Sequence, residues 1–181
     1  IFSVIESRDF TIRVLPNSKL GHPDQNDTLA YSSWLGVSQL EDALEFESLL
    51  LDIKVDLVIV DHYGIGDIWE RKVRALCDKL LVIDDLADRS HDCDMLVDQN
   101  WFPSHAMNRY DDLVGDASKL CLGPEFCLLS EDYSDLKRTA VGGRKKILVF
   151  LGGNAPPDLY IAVYKVLKNV PIDQGILINM V

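Results

Sequence analysis

Basic residues are scarce in this 181-residue chain: 18 Lys and Arg stand against 29 Asp and Glu, a formal net charge of −11. That balance argues against a nucleic-acid partner, because holding a phosphate backbone needs a basic surface. It does not exclude a small anionic ligand, since a few backbone N–H groups at a helix N-terminus can hold a phosphate inside an acidic protein. Long apolar runs are missing as well. None approaches the ~18–20 residues of a membrane span, so no membrane partner is expected. Cysteine is sparse, limited to Cys77, Cys93, Cys121 and Cys127, and no two have the two-residue spacing of a zinc knuckle. With no secretory leader in the sequence, this usage fits a reduced, cytoplasmic protein. His91 and Cys93, within His91-Asp92-Cys93-Asp94, have no second ligand pair nearby, so no metal or other cofactor is expected. A Walker loop and a GxGxxG fingerprint are both absent.

What is present is a set of buried-strand patterns with polar tips. The run Val55-Asp-Leu-Val-Ile-Val60 feeds Asp61-His62-Tyr63-Gly64, Leu80-Leu-Val-Ile83 feeds Asp84-Asp85-Leu86, and Met95-Leu-Val97 feeds Asp98-Gln99-Asn100. Helical spacing appears before the first run (Leu40, Ala43, Leu44, Leu50 and Leu51, with Glu41 and Asp42 in the opening turn) and between the first two (Trp69, Val73, Leu76 and Cys77, begun near Asp67). Strand–helix–strand spacing implies an α/β fold with a Rossmann-like parallel sheet. Thr11-Ile-Arg-Val-Leu15 reads as a further short strand, followed by a loop-like stretch over 21–27.

After Asn100 the pattern is irregular, and residues 130–145 are polar and charged in the manner of an interdomain connection. A fresh α/β unit then starts. It has a strand Lys146–Leu151, a turn Gly152-Gly153-Asn154, a helix with Pro157 in its first turn, and a strand Ile176–Val181. We therefore expect two Rossmann-like domains, residues 1–138 and the opening of a second over 144–181. The first residue is Ile1, and the last strand has no helix after it. We expect both ends to continue in a longer protein.

Parallel α/β sheets place ligands outside the carboxyl ends of their strands, so the polar tips are the candidate site. An Asp there also caps helices and turns; the three tips together favour a ligand. On an extended strand end, alternate residues share a face, which lets Asp61 and Tyr63 point together with His62 opposed. Tyr63 can hydrogen-bond or stack on a sugar; His62 is either a base or a buried, hydrogen-bonded imidazole. Arg89 is either an ion-pair partner of Asp84-Asp85 or a ligand contact. The Gly152-Gly153-Asn154 turn lets a ligand approach the backbone at a helix N-terminus. Trp69 is expected to pack, while Glu70 is open to either a packing or a site role.

In order, the chain carries Trp34-Leu-Gly-Val37, Glu41-Asp-Ala43, Asp61-His-Tyr63, Trp69-Glu70, Ile83-Asp-Asp-Leu-Ala-Asp-Arg89, His91-Asp-Cys-Asp94, Asp98-Gln-Asn100 and Leu122-Gly-Pro-Glu-Phe-Cys-Leu-Leu129. This ordered set resembles the UDP-sugar hydrolases of pseudaminic acid biosynthesis. The resemblance runs from about Trp34 to Asn154. It implies a GT-B-like architecture of two Rossmann-like domains facing a cleft, with the second incomplete here. It also implies hydrolysis of a UDP-linked diacetamido-trideoxy sugar to UDP and free sugar, without a metal or cofactor. Tyr63 matches the family's active-site tyrosine, and Tyr63 and Asp61 are the expected catalytic residues of this chain. His62, Asp85, Arg89, Gly152, Gly153 and Asn154 are the expected substrate contacts. The family's catalytic histidine lies in a GxGHxxR loop that this sequence does not contain; Gly21-His22 is not followed by the required arginine. The family's GGSDP loop reads Gly-Gly-Asn-Ala-Pro here. This chain alone is accordingly expected to be inactive. A GT-B glycosyltransferase and a non-catalytic sugar-nucleotide-binding module are the alternatives.

Overall fold

A run as rich in β-branched residues as Val55–Val60 buries itself most readily as a strand of a parallel sheet. The computed structural model describes residues 2–15, 29–51, 53–103, 108–133, 146–152, 155–169 and 177–180. In chain order its elements are α1 (Phe2–Glu6), α2 (Gln39–Leu50), β1 (Val55–Val60), α3 (Asp67–Val73), β2 (Cys77–Ile83), β3 (Met95–Asp98), β4 (Lys119–Leu122), β5 (Lys146–Val149), α4 (Pro157–Asn169) and β6 (Leu177–Met180). They fall into two compact units, Ile1–Leu129 and Ser130–Val181.

The first unit is an α/β, Rossmann-like assembly. Its sheet has the order β1-β2-β3-β4 with every neighbouring pair parallel. A strand order that advances in one direction through right-handed crossovers brings its connections to one face. Burial follows that rule: Val58, Val60, Leu80, Val82 and Leu96 are buried on one face, while Leu57 and Ile59 on the opposite face are exposed. The covered face packs with Ala43 of α2 and Trp69 and Val73 of α3. Each fully buried Leu or Val there contributes about 1.5–3 kcal/mol.

The helices meet through matched polar groups as well as apolar ones. Ser38 caps α2 by accepting the Glu41 N–H at 3.2 Å. Trp69 Nε1 donates to Asp42 Oδ1 at 2.7 Å, and the Gly66 N–H donates to Gln39 Oε1 at 2.8 Å. These bonds turn α2 away from the face its leucines suggest. Gln39, Asp42 and Ala43 are buried, whereas Leu40 and Leu44 are about half exposed and Leu51, just beyond the helix, is exposed. A buried indole N–H needs an acceptor, and Asp42 supplies it only with this rotation.

Other sequence expectations shift. Residues 11–15 form no strand: they lack regular structure and are mostly exposed, and among the described residues no strand pairs with them. α3 stops at Val73 and runs through a 3-10 turn, Arg74–Leu76, straight into β2, which starts at Cys77 rather than Leu80. β4 was not expected; four residues are too few to show a period, and its pairing with β3, Val97 beside Cys121, defines it.

In the second unit β5 and β6 pair in parallel, with Lys146 beside Leu177 and Val149 beside Met180, and α4 connects them. Gly152 follows β5 at φ +90°, a conformation that side chains disfavour. Gly153 and Asn154 lie outside the described residues, as does the loop expected over 21–27.

Candidate functional site

The β1, β2 and β3 tips converge on one cavity of about 300 Å³, lined by Asp61 and Tyr63 after β1, Asp84 and Asp85 after β2, and Gln99 after β3. Ile83, Val97 and Leu128 supply its apolar surface. Tyr63 Oη donates to Asp85 Oδ1 at 2.9 Å, and Asn100 Nδ2 donates to Asp85 Oδ2 at 3.1 Å. Both carboxylate oxygens of Asp85 are thus held, and the phenol has a fixed direction. The hydrogen bond to Asp85, then burial and the charges of Asp85, Asp61 and Asp84, push Tyr63 up to about 12. Tyr63 therefore stays protonated at neutral pH, with its proton committed to Asp85 and its oxygen lone pairs free to accept.

His62 has a different task. Its Nδ1 accepts the Gly64 N–H at 3.0 Å, which assigns the remaining proton to Nε2. Burial foremost, and the Arg89 charge, lower its pKa against the pull of Asp42 and Asp61, so the ring is neutral. A neutral ring whose lone pair is already engaged is a donor, not a base. His62 lines a second cavity of about 210 Å³, beside Trp34, Asp61 and Tyr63.

Arg89 is engaged within the protein in this arrangement. It is 5 % exposed and lines neither cavity. Its Nε donates to Ile65 O at 2.6 Å, and Nη1 pairs with Asp84 Oδ1 at 2.8 Å and Asp88 Oδ1 at 2.9 Å. A buried guanidinium must have its donors met, and here the strand-tip loops meet them. Asp84 Oδ1 makes no directed hydrogen bond; its contact with Arg89 is ionic.

Beneath the cavity lies a buried polar network that the sequence did not announce. Tyr110 Oη sits 3.0 Å from both Asp84 O and Asp84 Oδ2, and 3.2 Å from Asp98 Oδ2. One phenol proton thus bridges two strand-tip carboxylates. Burial, then the Asp84 and Asp98 charges, push the phenol far up, so it remains a donor. Arg109 Nη1 lies 3.3 Å from Asp98 Oδ2, Nη2 donates to Asp85 O and Leu86 O, and the guanidinium lies over the Phe102 ring at 4.1 Å. Both Arg109 and Tyr110 come from the stretch that reads as irregular. The signal was an Arg-Tyr pair in otherwise patternless text. Asn100 was visible only as part of the third tip.

His91 and Cys93 part company. His91 Nδ1 is 2.7 Å from Glu70 Oε1, and Glu70 Oε2 accepts the Asp92 N–H at 2.6 Å, so Glu70 is structural. The Cys93 thiol is buried, and burial first, with the Glu70 charge, pushes it up to about 12, which makes it inert. Among the described residues no group of three or more His, Cys, Asp or Glu is placed to hold a metal. Also among the described residues, no helix is long and apolar enough to cross a membrane.

No family model matches the sequence. Over 130 residues, 69% of this chain, it is 27% identical to the uncharacterized protein MJ1062 of Methanocaldococcus jannaschii, and the match covers 27% of that protein. The chain thus spans about a quarter of the length of the curated relative it matches.

Proposed function

We propose that this chain forms the sugar-binding part of a nucleotide-sugar hydrolase that splits a UDP-linked diacetamido-trideoxy hexose into UDP and the free sugar. In this reading the second unit opens the nucleotide-binding domain of a GT-B-like architecture. The observation that carries the proposal is the cavity at the carboxyl ends of a parallel sheet, where Asp85 holds Tyr63 at 2.9 Å beside Asp61. Such strand-end hollows are where α/β proteins bind ligands.

The chemistry asked of the site is modest. Water adds to the anomeric carbon, the bond from that carbon to the phosphate oxygen breaks, and its electron pair leaves with UDP. The water proton passes to a general base; the resemblance implies a histidine for that part. Tyr63 would orient the water, since its own proton is committed to Asp85 and its oxygen can still accept. Asp61 would accept hydroxyl or amide donors of the sugar.

The test is to incubate the gene product that contains this chain with the UDP-linked sugar, in the absence of any acceptor, and follow the reaction by NMR. We expect UDP and free sugar to appear together, and Tyr63→Phe to lower kcat roughly 100-fold. UDP release only on adding an acceptor alcohol would show a glycosyltransferase. Binding without release would show a non-catalytic module. Either result overturns hydrolysis.

A further inference from the structure

The second cavity has an aromatic wall. Tyr31, Trp34 and Tyr63 form an aromatic cluster, with ring centroids 4.9 Å apart for Tyr31–Trp34, 5.3 Å for Tyr31–Tyr63 and 5.9 Å for Trp34–Tyr63. Trp34 is nevertheless 63% exposed. It stands beside the cavity of about 210 Å³ whose other walls are Asp61, His62 and Tyr63. Asp61 and Tyr63 also line the larger cavity, so the two hollows share a wall.

We infer that Trp34, backed edge-on by Tyr31, forms a stacking platform for the apolar face of a pyranose ring, whose N–H and O–H edge is taken by Asp61. This rests on the reading of the site as a sugar site and adds which moiety seats where. Charge decides the moiety. The two cavities are lined by the carboxylates of Asp61, Asp84 and Asp85, and among the described residues no Lys or Arg lines either one. Arg89 and Arg109, the nearby cations, are committed to Asp84, Asp88 and Asp98 and to backbone carbonyls. A diphosphate brought against this lining would meet like charge in a partly desolvated hollow. A neutral ring with donors suits it: carboxylates accept from donors, and an aromatic face takes C–H-rich surface while leaving polar edges free. The neutral His62, with Nε2–H as a donor, adds the complementary contact for a carbonyl such as that of an acetamido group.

The platform is also built to stay in place. The 3-10 turn Ser32–Trp34 follows Tyr31 directly, and Gly64 lets the Tyr31 carbonyl lie against the β1 tip with no room for a Cβ. The wall is therefore tied to the same loop that carries Asp61 and Tyr63.

The test labels the chain with 5-fluorotryptophan and assigns the Trp34 resonance with a Trp34→Phe variant. The probes are the free diacetamido-trideoxy hexose, N-acetylglucosamine and UDP, with backbone amide shifts of Tyr63 and Gly64 read in parallel. We expect the hexose to shift the Trp34 signal together with the Tyr63 and Gly64 amides, UDP to leave Trp34 unmoved, and Trp34→Ala to weaken hexose binding roughly tenfold. Trp34 is exposed enough for the variant to fold. Hexose shifts at Tyr63 and Gly64 with a silent Trp34 and unchanged affinity in Trp34→Ala would overturn the platform and leave the sugar site standing. A Trp34 response to UDP would overturn it in favour of a base-stacking surface. No response of any of these signals to either sugar would overturn both the platform and the sugar reading beneath it.

Discussion

A Cβ built on Gly64 would lie 2.8 Å from the Tyr31 carbonyl oxygen and 3.1 Å from His62 Cε1. The first neighbour is backbone and cannot swing aside as the end of a long side chain can. Gly64 also donates its N–H to His62 Nδ1, so the same residue fixes the imidazole tautomer and admits the Tyr31 turn. Gly64→Ala is therefore expected to cost about 1–3 kcal/mol through overpacking and to loosen Tyr31 and Trp34 from Tyr63. Urea unfolding reads the first effect, and exposure of Trp34 to acrylamide quenching reads the second. An alanine variant as stable as the parent, with unchanged quenching, would show that the contact is slack. The tip residues Asp61, Tyr63 and Asp85 could be placed from sequence because a β-branched run that ends in polar residues has a physical direction. Arg89 could not: whether a guanidinium turns inward depends on which loops offer acceptors, and Ile65 and Asp88 come from separate loops.

At the scale of elements, Asp94 joins pieces that are distant in sequence. Its Oδ2 accepts from the Leu80 N–H at 2.9 Å and Arg74 Nη1 at 3.0 Å, and its Oδ1 accepts from Lys79 Nζ at 2.9 Å. Its backbone carbonyl accepts the Lys119 N–H at 2.9 Å. One residue thus ties the end of α3, the body of β2 and the approaches to β3 and β4. Burial pushes its carboxyl up, but the Leu80 N–H, Lys79 and Arg74 outweigh burial and hold it at about 2, below the ordinary 3.8. A carboxyl depressed on folding stabilises the fold above its unfolded value, and that contribution is lost as pH falls from about 4 towards 2. Asp94→Asn should cost about 1–2 kcal/mol at neutral pH, and the gap from the parent should close near pH 2. Urea midpoints across that range check it; a gap that is constant with pH would mean that the charge of Asp94 plays no part. Little of this was legible in His91-Asp-Cys-Asp94, because which backbone N–H an aspartate accepts from is set by how the chain packs and not by its neighbours in sequence. The strands themselves were legible at Val55–Val60 and Met95–Val97, because each apolar run ends in a polar tip, Asp61-His62-Tyr63 and Asp98-Gln99-Asn100. β4 was not, since its four residues become a strand only through their partner.

At the scale of the molecule, the two units differ, among the described residues, in how much water they exclude. In the first, Leu80, Val82, Leu96 and Tyr110 are almost wholly buried, and Trp69 and Val73 close over them from α3. In the second, α4 has no fully buried side chain, and β5 pairs with β6 as a two-stranded sheet. A two-stranded sheet with a thinly packed helix is marginal by itself, because most of a helix's stability comes from the face it buries. Hydrogen exchange converts that contrast into rates: amides protected by a deep core exchange only through global unfolding, and those on shallow elements exchange through local opening. The amides of β2 and β3 should therefore define the slowest class, and those of α4 and β5 should exchange orders of magnitude sooner under the same conditions. Mass-spectrometric exchange at peptide resolution distinguishes the two classes. Equal protection of α4 and β2 would mean that the chain opens as one cooperative body, with α4 deriving its stability from more than the side chains it buries.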